Sequence, residues 1–284
     1  MRRTARLLAA TVWVAAIGSC GGDERRADVH AVRSPAPRTA PEPPPARSSG
    51  AHAAPLTLRA APLPKLHVPR YETTGTVPQV SGTRGLRRVN AALLGMVLRD
   101  QHQYAPEARR AARRPPFRYR GVYRTRRPAF VSASTVVVSV VVPLLALYPG
   151  GNDGSGWLST TVRMPSGDRV ALVALFADPK AGLRALAAAT KRLVATGRGP
   201  QARCARESLA DPTVGDLNAR GLRPRPRNYR DFALTPGGLV LAFHQAHFSA
   251  PPCGPMAFVV PYATIDPLLS PLGRTLVAGV ARPR

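Results

Sequence analysis

Apolar residues recur at spacings of three and four from Leu86 through Val89, Leu93, Leu94, Val97 and Leu98, with Arg87, Arg88, Arg99 and Asp100 interleaved. That period predicts an amphipathic helix packed by one face. Ala105 to Arg114 either continues this helix or forms a second one after Pro106, and Pro115-Pro116 stops it. The period then changes to two. Phe117, Tyr119, Gly121 and Tyr123 alternate with arginines or small residues, and Phe130 to Leu147 is a valine-rich run centred on Val136 to Val142. β-branched residues in such a run fit a pleated sheet better than a helix. Because the run is continuous, it predicts a central strand covered on both faces, with Pro143 marking a bulge or break.

Tyr148 to Gly154 is a turn by composition. Trp157 to Met164 and Val170 to Leu175 predict a hairpin around Pro165 to Asp168. Asp178-Pro179 opens a helix, with Asp as cap and Pro at the first helical position, and Gly197 closes it. Ala205 to Ala219 predicts two short helices split by Pro212. Phe232 to Thr235 and Leu239 to Phe243 predict a second hairpin, Met256 to Pro261 a further strand, and Ile265 to Leu276 a helical end. At the front, Leu66 to Tyr71 predicts a short first strand interrupted by Pro69. Hairpins with helices before and between them predict an α+β fold with a mainly antiparallel sheet packed with helices, as a single domain.

Composition divides the chain before this domain begins. Ala27 to Pro64 is dense in proline and poor in large apolar residues. It predicts a disordered, semi-extended tether rather than core. Upstream, Arg2, Arg3 and Arg6 precede an uncharged apolar run from Leu7 to Gly18. Such a run is a secretory leader, too short for a spanning helix of roughly 20 residues. Small residues lead into Cys20, and this ending resembles a bacterial lipoprotein signal. The resemblance implies cleavage after residue 19 and a lipid on Cys20 that holds the mature chain in the outer leaflet of the plasma membrane. The expected organisation is therefore a signal peptide at 1–19, a Pro/Ala-rich tether at 20–64 and a folded domain at 65–284.

The net charge of +26 resembles that of a nucleic-acid binder. Lysine occurs only at Lys65, Lys180 and Lys191, and arginine with abundant Ala, Pro and Gly points to a GC-rich genome. An exported chain also does not meet the chromosome, so nucleic acid is not an expected partner. The charge is real nonetheless. Residues 84–127 carry thirteen arginines against Asp100 and Glu107. This stretch is either a solvated basic face or a patch that attracts anionic lipid, an anionic envelope polymer or an acidic protein. With Cys20 lipidated, Cys204 and Cys253 remain as an even pair in an oxidising compartment. A disulfide between them is the simplest arrangement, and two buried free thiols are the alternative.

Three stretches together resemble a known family. They are Phe130-Val131-Ser132 through Tyr148-Pro149-Gly150-Gly151, then Val170 to Phe176, then Phe232 to Phe243 continuing to Val259-Val260-Pro261-Tyr262. They are similar to the RsiV-type extracytoplasmic domain, the outer part of a lysozyme-sensing anti-sigma factor, also resembling a mycobacterial secreted immunogenic protein. The likeness spans about Lys65 to Leu276. It implies an extracytoplasmic binding or sensing module, with a lysozyme-like protein as one class of partner. Its motifs are structural, and no catalytic residue comes with them. Where the family often has His after the Gly-Gly pair, this chain has Asn152-Asp153.

The residues themselves nominate no catalyst. His244 and His247 are three apart at a strand end, where they point to opposite faces, so no metal and no cofactor is expected. Asn152 to Gly156 lacks the spacing and final Glu of a calcium loop. Asp168, Asp178, Glu207, Asp211 and Asp216 are scattered and suit caps or surface charge. The expectation is a non-enzymatic, lipid-anchored envelope module. A hydrolase of envelope polysaccharide or ester substrates and a structural lipoprotein stand as alternatives.

Overall fold

The computed structural model describes residues 56–82, 85–113, 120–148 and 153–281. Cys20, the leader and most of the tether lie outside them, as do Arg84, Phe117, Tyr119 and Asn152.

The valine run forms β6 (Val137–Leu147), and the largest sheet is assembled on it. One edge of β6 pairs antiparallel along its whole length with β7 (Asp153–Arg163). The other edge is shared by β5 (Phe130–Ala133) and β4 (Gly121–Thr125), both antiparallel to it. β2 (Tyr71–Thr74) extends the sheet beside β4 and is its one parallel pair. Pro143 sits inside β6 opposite Trp157 without interrupting the pairing.

Alternation along β6 sorts the layers. Val138, Val140, Val142 and Leu144 face α1 (Arg87–Ala112), which lays Val89, Leu93, Met96 and Val97 against them. α1 is one continuous helix through Pro106. The proline lies on an exposed turn, where solvent can satisfy the carbonyl that loses its donor. Polar bonds fix its docking: the Tyr104 hydroxyl donates to the Leu147 carbonyl (3.0 Å) and the Tyr123 hydroxyl to Asp100 Oδ2 (2.7 Å). Burial pushes the Asp100 carboxyl above its usual range, against the pull of that tyrosine.

The opposite face of β6 meets a second sheet in the order β10–β9–β8, built from β8 (Phe232–Thr235), β9 (Gly238–Phe243) and β10 (Met256–Val260). Here small residues set the spacing: Ala233, Val240 and Ala242 lie against Val141, with Trp157 and Ala257 packed alongside. Ser139, an unexpected polar residue in the valine run, joins the sheets. Its hydroxyl accepts from the Leu234 amide (2.9 Å) and shares a bond with Thr161 (2.6 Å). The outer face of the small sheet is large and apolar. Leu234, Leu239, Leu241 and Phe243 pack against α2 (Pro179–Thr196) and α5 (Pro271–Ala281). Asp178 caps α2, accepting from the amides of Lys180 and Ala181. The result is α+β with mostly antiparallel sheets, as expected.

Several local expectations change. The run from Phe130 to Leu147 is not one strand but two, β5 and β6, which pair with each other across a turn at 134–136. The last helix begins at Pro271 and not at Ile265, after 3₁₀ turns at Tyr262–Thr264 and Asp266–Leu268. The folded chain starts earlier than Lys65, because β1 (Thr57–Pro62), placed in the tether by its composition, pairs antiparallel with β3 (Thr76–Ser81). Residues 66–70 are irregular and the strand begins at Tyr71. Val170 to Leu175 does not complete a hairpin. After the single bridge Val162↔Arg169 the chain turns into a 3₁₀ helix at Leu172–Leu175, which carries Phe176 into the core over Gly182 of α2. That departure leaves part of the outer edge of β7 without a strand partner among the described residues.

Candidate functional site

The direction of the backbone groups on β7 follows from its flanking bonds. The Arg163 amide donates to the Asp168 carbonyl, the Val170 amide to the Thr161 carbonyl, and the Gln245 amide to the Ser155 carbonyl. Odd-numbered residues of β7 therefore point their N–H and C=O groups away from β6. Between Ser155 and Thr161, Trp157 and Ser159 keep that direction with no strand beside them among the described residues. A half-open cleft of about 320 Å³ lies along this edge. β7 contributes Ser159, Thr160 and Thr161, the 169–173 segment a second wall, and residues 226–232 a third. Arg169, Arg227 and Arg230 line it, and no carboxylate does.

Asp231 sits next to the cleft at the entrance of β8. Its side chain is 15% exposed, and it collects three donors. Ser159 Oγ donates to Oδ1 (3.0 Å), Arg230 Nε donates to Oδ2 (3.3 Å), and His244 Nε2 lies 3.2 Å from Oδ2. Gly156 makes room for the imidazole, since a Cβ there would fall on the His244 ring. Burial alone pushes Asp231 up. The His244 hydrogen bond, the charges of His244 and Arg230 and the Ser159 hydroxyl outweigh it and hold the carboxyl below its ordinary range. Ser159 donates to the carboxylate and not to His244, so the serine is not paired with a base as a nucleophile would be. The arrangement holds charge and hydroxyl in place beside the cleft.

His247 goes elsewhere. It packs on Phe243 with ring centroids 5.3 Å apart, its Nε2 is buried without a partner, and burial lowers its pKa. The two histidines do not converge, and among the described residues no cluster of His, Cys, Asp and Glu could hold a metal. Cys204 and Cys253 are joined, as expected, linking α3 (Pro200–Ala210) to the turn before β10. Within residues 84–127 the described arginines are exposed. Arg124 approaches Glu72 at 3.9 Å, a pair of little energetic weight. For Arg99 of α1, burial and then the charge of Arg169 lower the pKa.

None of Ser159, Arg169, Arg227, Arg230, Asp231 and His244 was nominated together from the sequence. They lie on β7, on the segment after it and around β8, and no spacing or motif links them.

Two solved structures share this arrangement of elements. A DUF3298-family protein of Bacteroides fragilis NCTC 9343 is 13% identical with a TM-score of 0.51, covering 80% of this chain and 98% of its own. It shares the fold of DUF3298-family proteins. A second such structure, from Pseudomonas aeruginosa PAO1, is 10% identical with a TM-score of 0.50, covering 77% of this chain and 95% of its own. No family model matches the chain, and no characterised protein matches it by sequence. At these identities the DUF3298 likeness speaks for the fold and leaves the cleft to be argued from its own residues.

Proposed function

We propose that this protein is a non-enzymatic, lipid-anchored binding or sensing module on the outer face of a bacterial plasma membrane. The observation that carries the reading is the cleft along β7, which offers arginines, hydroxyls and an open strand edge without an activated nucleophile. The DUF3298 fold supports the resemblance to RsiV-type domains, whose role is extracytoplasmic sensing. Among the described residues no helix is long and apolar enough to cross a membrane, and the lipid on Cys20 would supply the attachment. The partner is an envelope component, either a protein of the lysozyme-like class or an anionic polymer.

Two experiments test this. Cys20→Ala is expected to move the protein out of the membrane fraction or to leave an uncleaved precursor. Unchanged membrane association with no lipid mass on Cys20 would overturn the anchor. Affinity capture of envelope extract by the detergent-purified mature chain is expected to retain a partner whose binding weakens as salt rises, because exposed arginines are screened.

The Asp231–His244 pair favours one competing reading, a hydrolase in which a carboxylate orients an imidazole base. Under the binding reading, wild-type protein shows no turnover of ester or envelope glycan substrates. Turnover lost in His244→Ala would establish the hydrolase instead.

A further inference from the structure

The cleft carries a more specific statement about what it receives. It deepens the binding reading and rests on it. We propose that the β7 cleft binds an extended, acidic segment of a partner protein, which lies alongside β7 and places carboxylates among Arg169, Arg227 and Arg230.

Three observations converge on that ligand chemistry. The first is charge. All three arginines are exposed, and the nearby carboxylates are already engaged: Asp231 by Ser159, Arg230 and His244, and Asp168, next to Arg169 in the chain, by Arg163. Arg227 and Arg169 have no ion pair among the described residues. Arg169 and Arg227, gathered at a concavity with no ion-pair partner among the described residues, are relieved by an anionic ligand.

The second is the backbone. Ser159 lines the cleft and turns its N–H and C=O towards the open edge of β7, where it has no strand partner among the described residues. An extended peptide can answer both groups at once, donating one hydrogen bond and accepting the other. The third is the apolar wall. Val170, Leu172 and Val173 line the cleft with Phe232 and so provide contact for the apolar side chains that flank an acidic residue. A phosphate polymer would use the arginines but neither the apolar wall nor the acceptor and donor of Ser159. The volume of about 320 Å³ is at the small end for a binding pocket. It suits two or three residues of a longer segment.

The test is selection from a random ten-residue peptide display library on the mature full-length chain in detergent. It is followed by fluorescence anisotropy of the enriched peptides. Enriched peptides are expected to carry Asp or Glu next to apolar residues. Replacing those acids by Asn and Gln should weaken binding by about tenfold, as should the double variant Arg169→Gln/Arg227→Gln. N-methylation of one peptide amide should also weaken it, since that removes a donor without altering the protein. Arg109→Gln/Arg110→Gln, on the far part of α1, should bind like wild type. The proposal is overturned if no peptide enriches, or if the enriched peptides lack acids. It is also overturned if they bind the Arg169/Arg227 variant unchanged, or if polyphosphate or anionic-lipid vesicles alone bind in an Arg169/Arg227-dependent way. Envelope capture separates this outcome from the broader one. A partner retained equally by wild type and by the Arg169/Arg227 variant sinks the cleft proposal and leaves the binding module standing.

Discussion

Replacing Cys253 by serine is expected to lower the stability of the domain by about 4 kcal/mol in the chain-entropy description of a cross-link. The bond spans 49 positions. It encloses α4 (Gly215–Arg220), β8 and β9, so the reduced chain must order that whole loop without the tie. The site is also tightly fitted. Cys253 is buried, Ser208 Oγ donates to the Cys204 carbonyl and accepts from the Ala250 amide, and both bonds hold the two ends of the cross-link together. For a domain of this size the change amounts to a fall in Tm of roughly 10 °C. Calorimetry on non-reduced protein measures it, and the double variant Cys204→Ser/Cys253→Ser should fall by the same amount. An unchanged Tm would mean that the cross-link constrains little.

The second large effect is expected at Asp231. Asp231→Ala removes the acceptor of Ser159, Arg230 and His244 together and leaves the half-buried imidazole and serine without it. The expected loss is about 2 kcal/mol at neutral pH, the scale of hydrogen bonds to a mostly buried charge. Little of it comes from Arg230, whose side chain is 66% exposed. The pH dependence has a definite sign. The folded-state pKa of Asp231 is lowered, so its ionised form is stabilised by folding. That contribution is fully present above the unfolded value near 4 and is lost as pH falls through the folded value. Urea unfolding of wild type and Asp231→Ala should therefore show a gap that is full at pH 7 and narrows below about pH 4. A gap that is constant with pH would assign the loss to packing instead of to the charge.

Much of the core was legible from the sequence because its periods are strong. The helix from Leu86, the cap at Asp178, the short helices on either side of Pro212 and the strands at Phe232, Leu239 and Met256 all follow from local signals, and the structure contains them. β1 was not legible, since Thr57–Pro62 has a tether-like composition and becomes a strand only by pairing with β3. Leu172–Leu175 failed in the opposite sense. Its aliphatic residues suit a strand, yet the pull of Phe176 and Leu175 into the core under α2 and α5 bends it into a 3₁₀ turn.

The candidate site was less legible than the fold. Asp231 and His244 are thirteen residues apart in sequence and Ser159 is far from both, so their meeting depends on β8 and β9 lying against the outer part of β7. The densest run of arginines in the chain is 84–127, whereas the arginines that line the cleft are Arg169, Arg227 and Arg230, which no local pattern sets apart.

The sequence by itself determined the class of fold and the central valine strand, and it made the Cys204–Cys253 pair the simplest arrangement, which the structure contains. The fold class and the strand depend on local periodicity. Only the tertiary structure decided where β7 stays open and which charges gather there. Strand edges, like-charge clusters and shared acceptors are properties of elements distant in the chain, and they exist only once packing has brought those elements together.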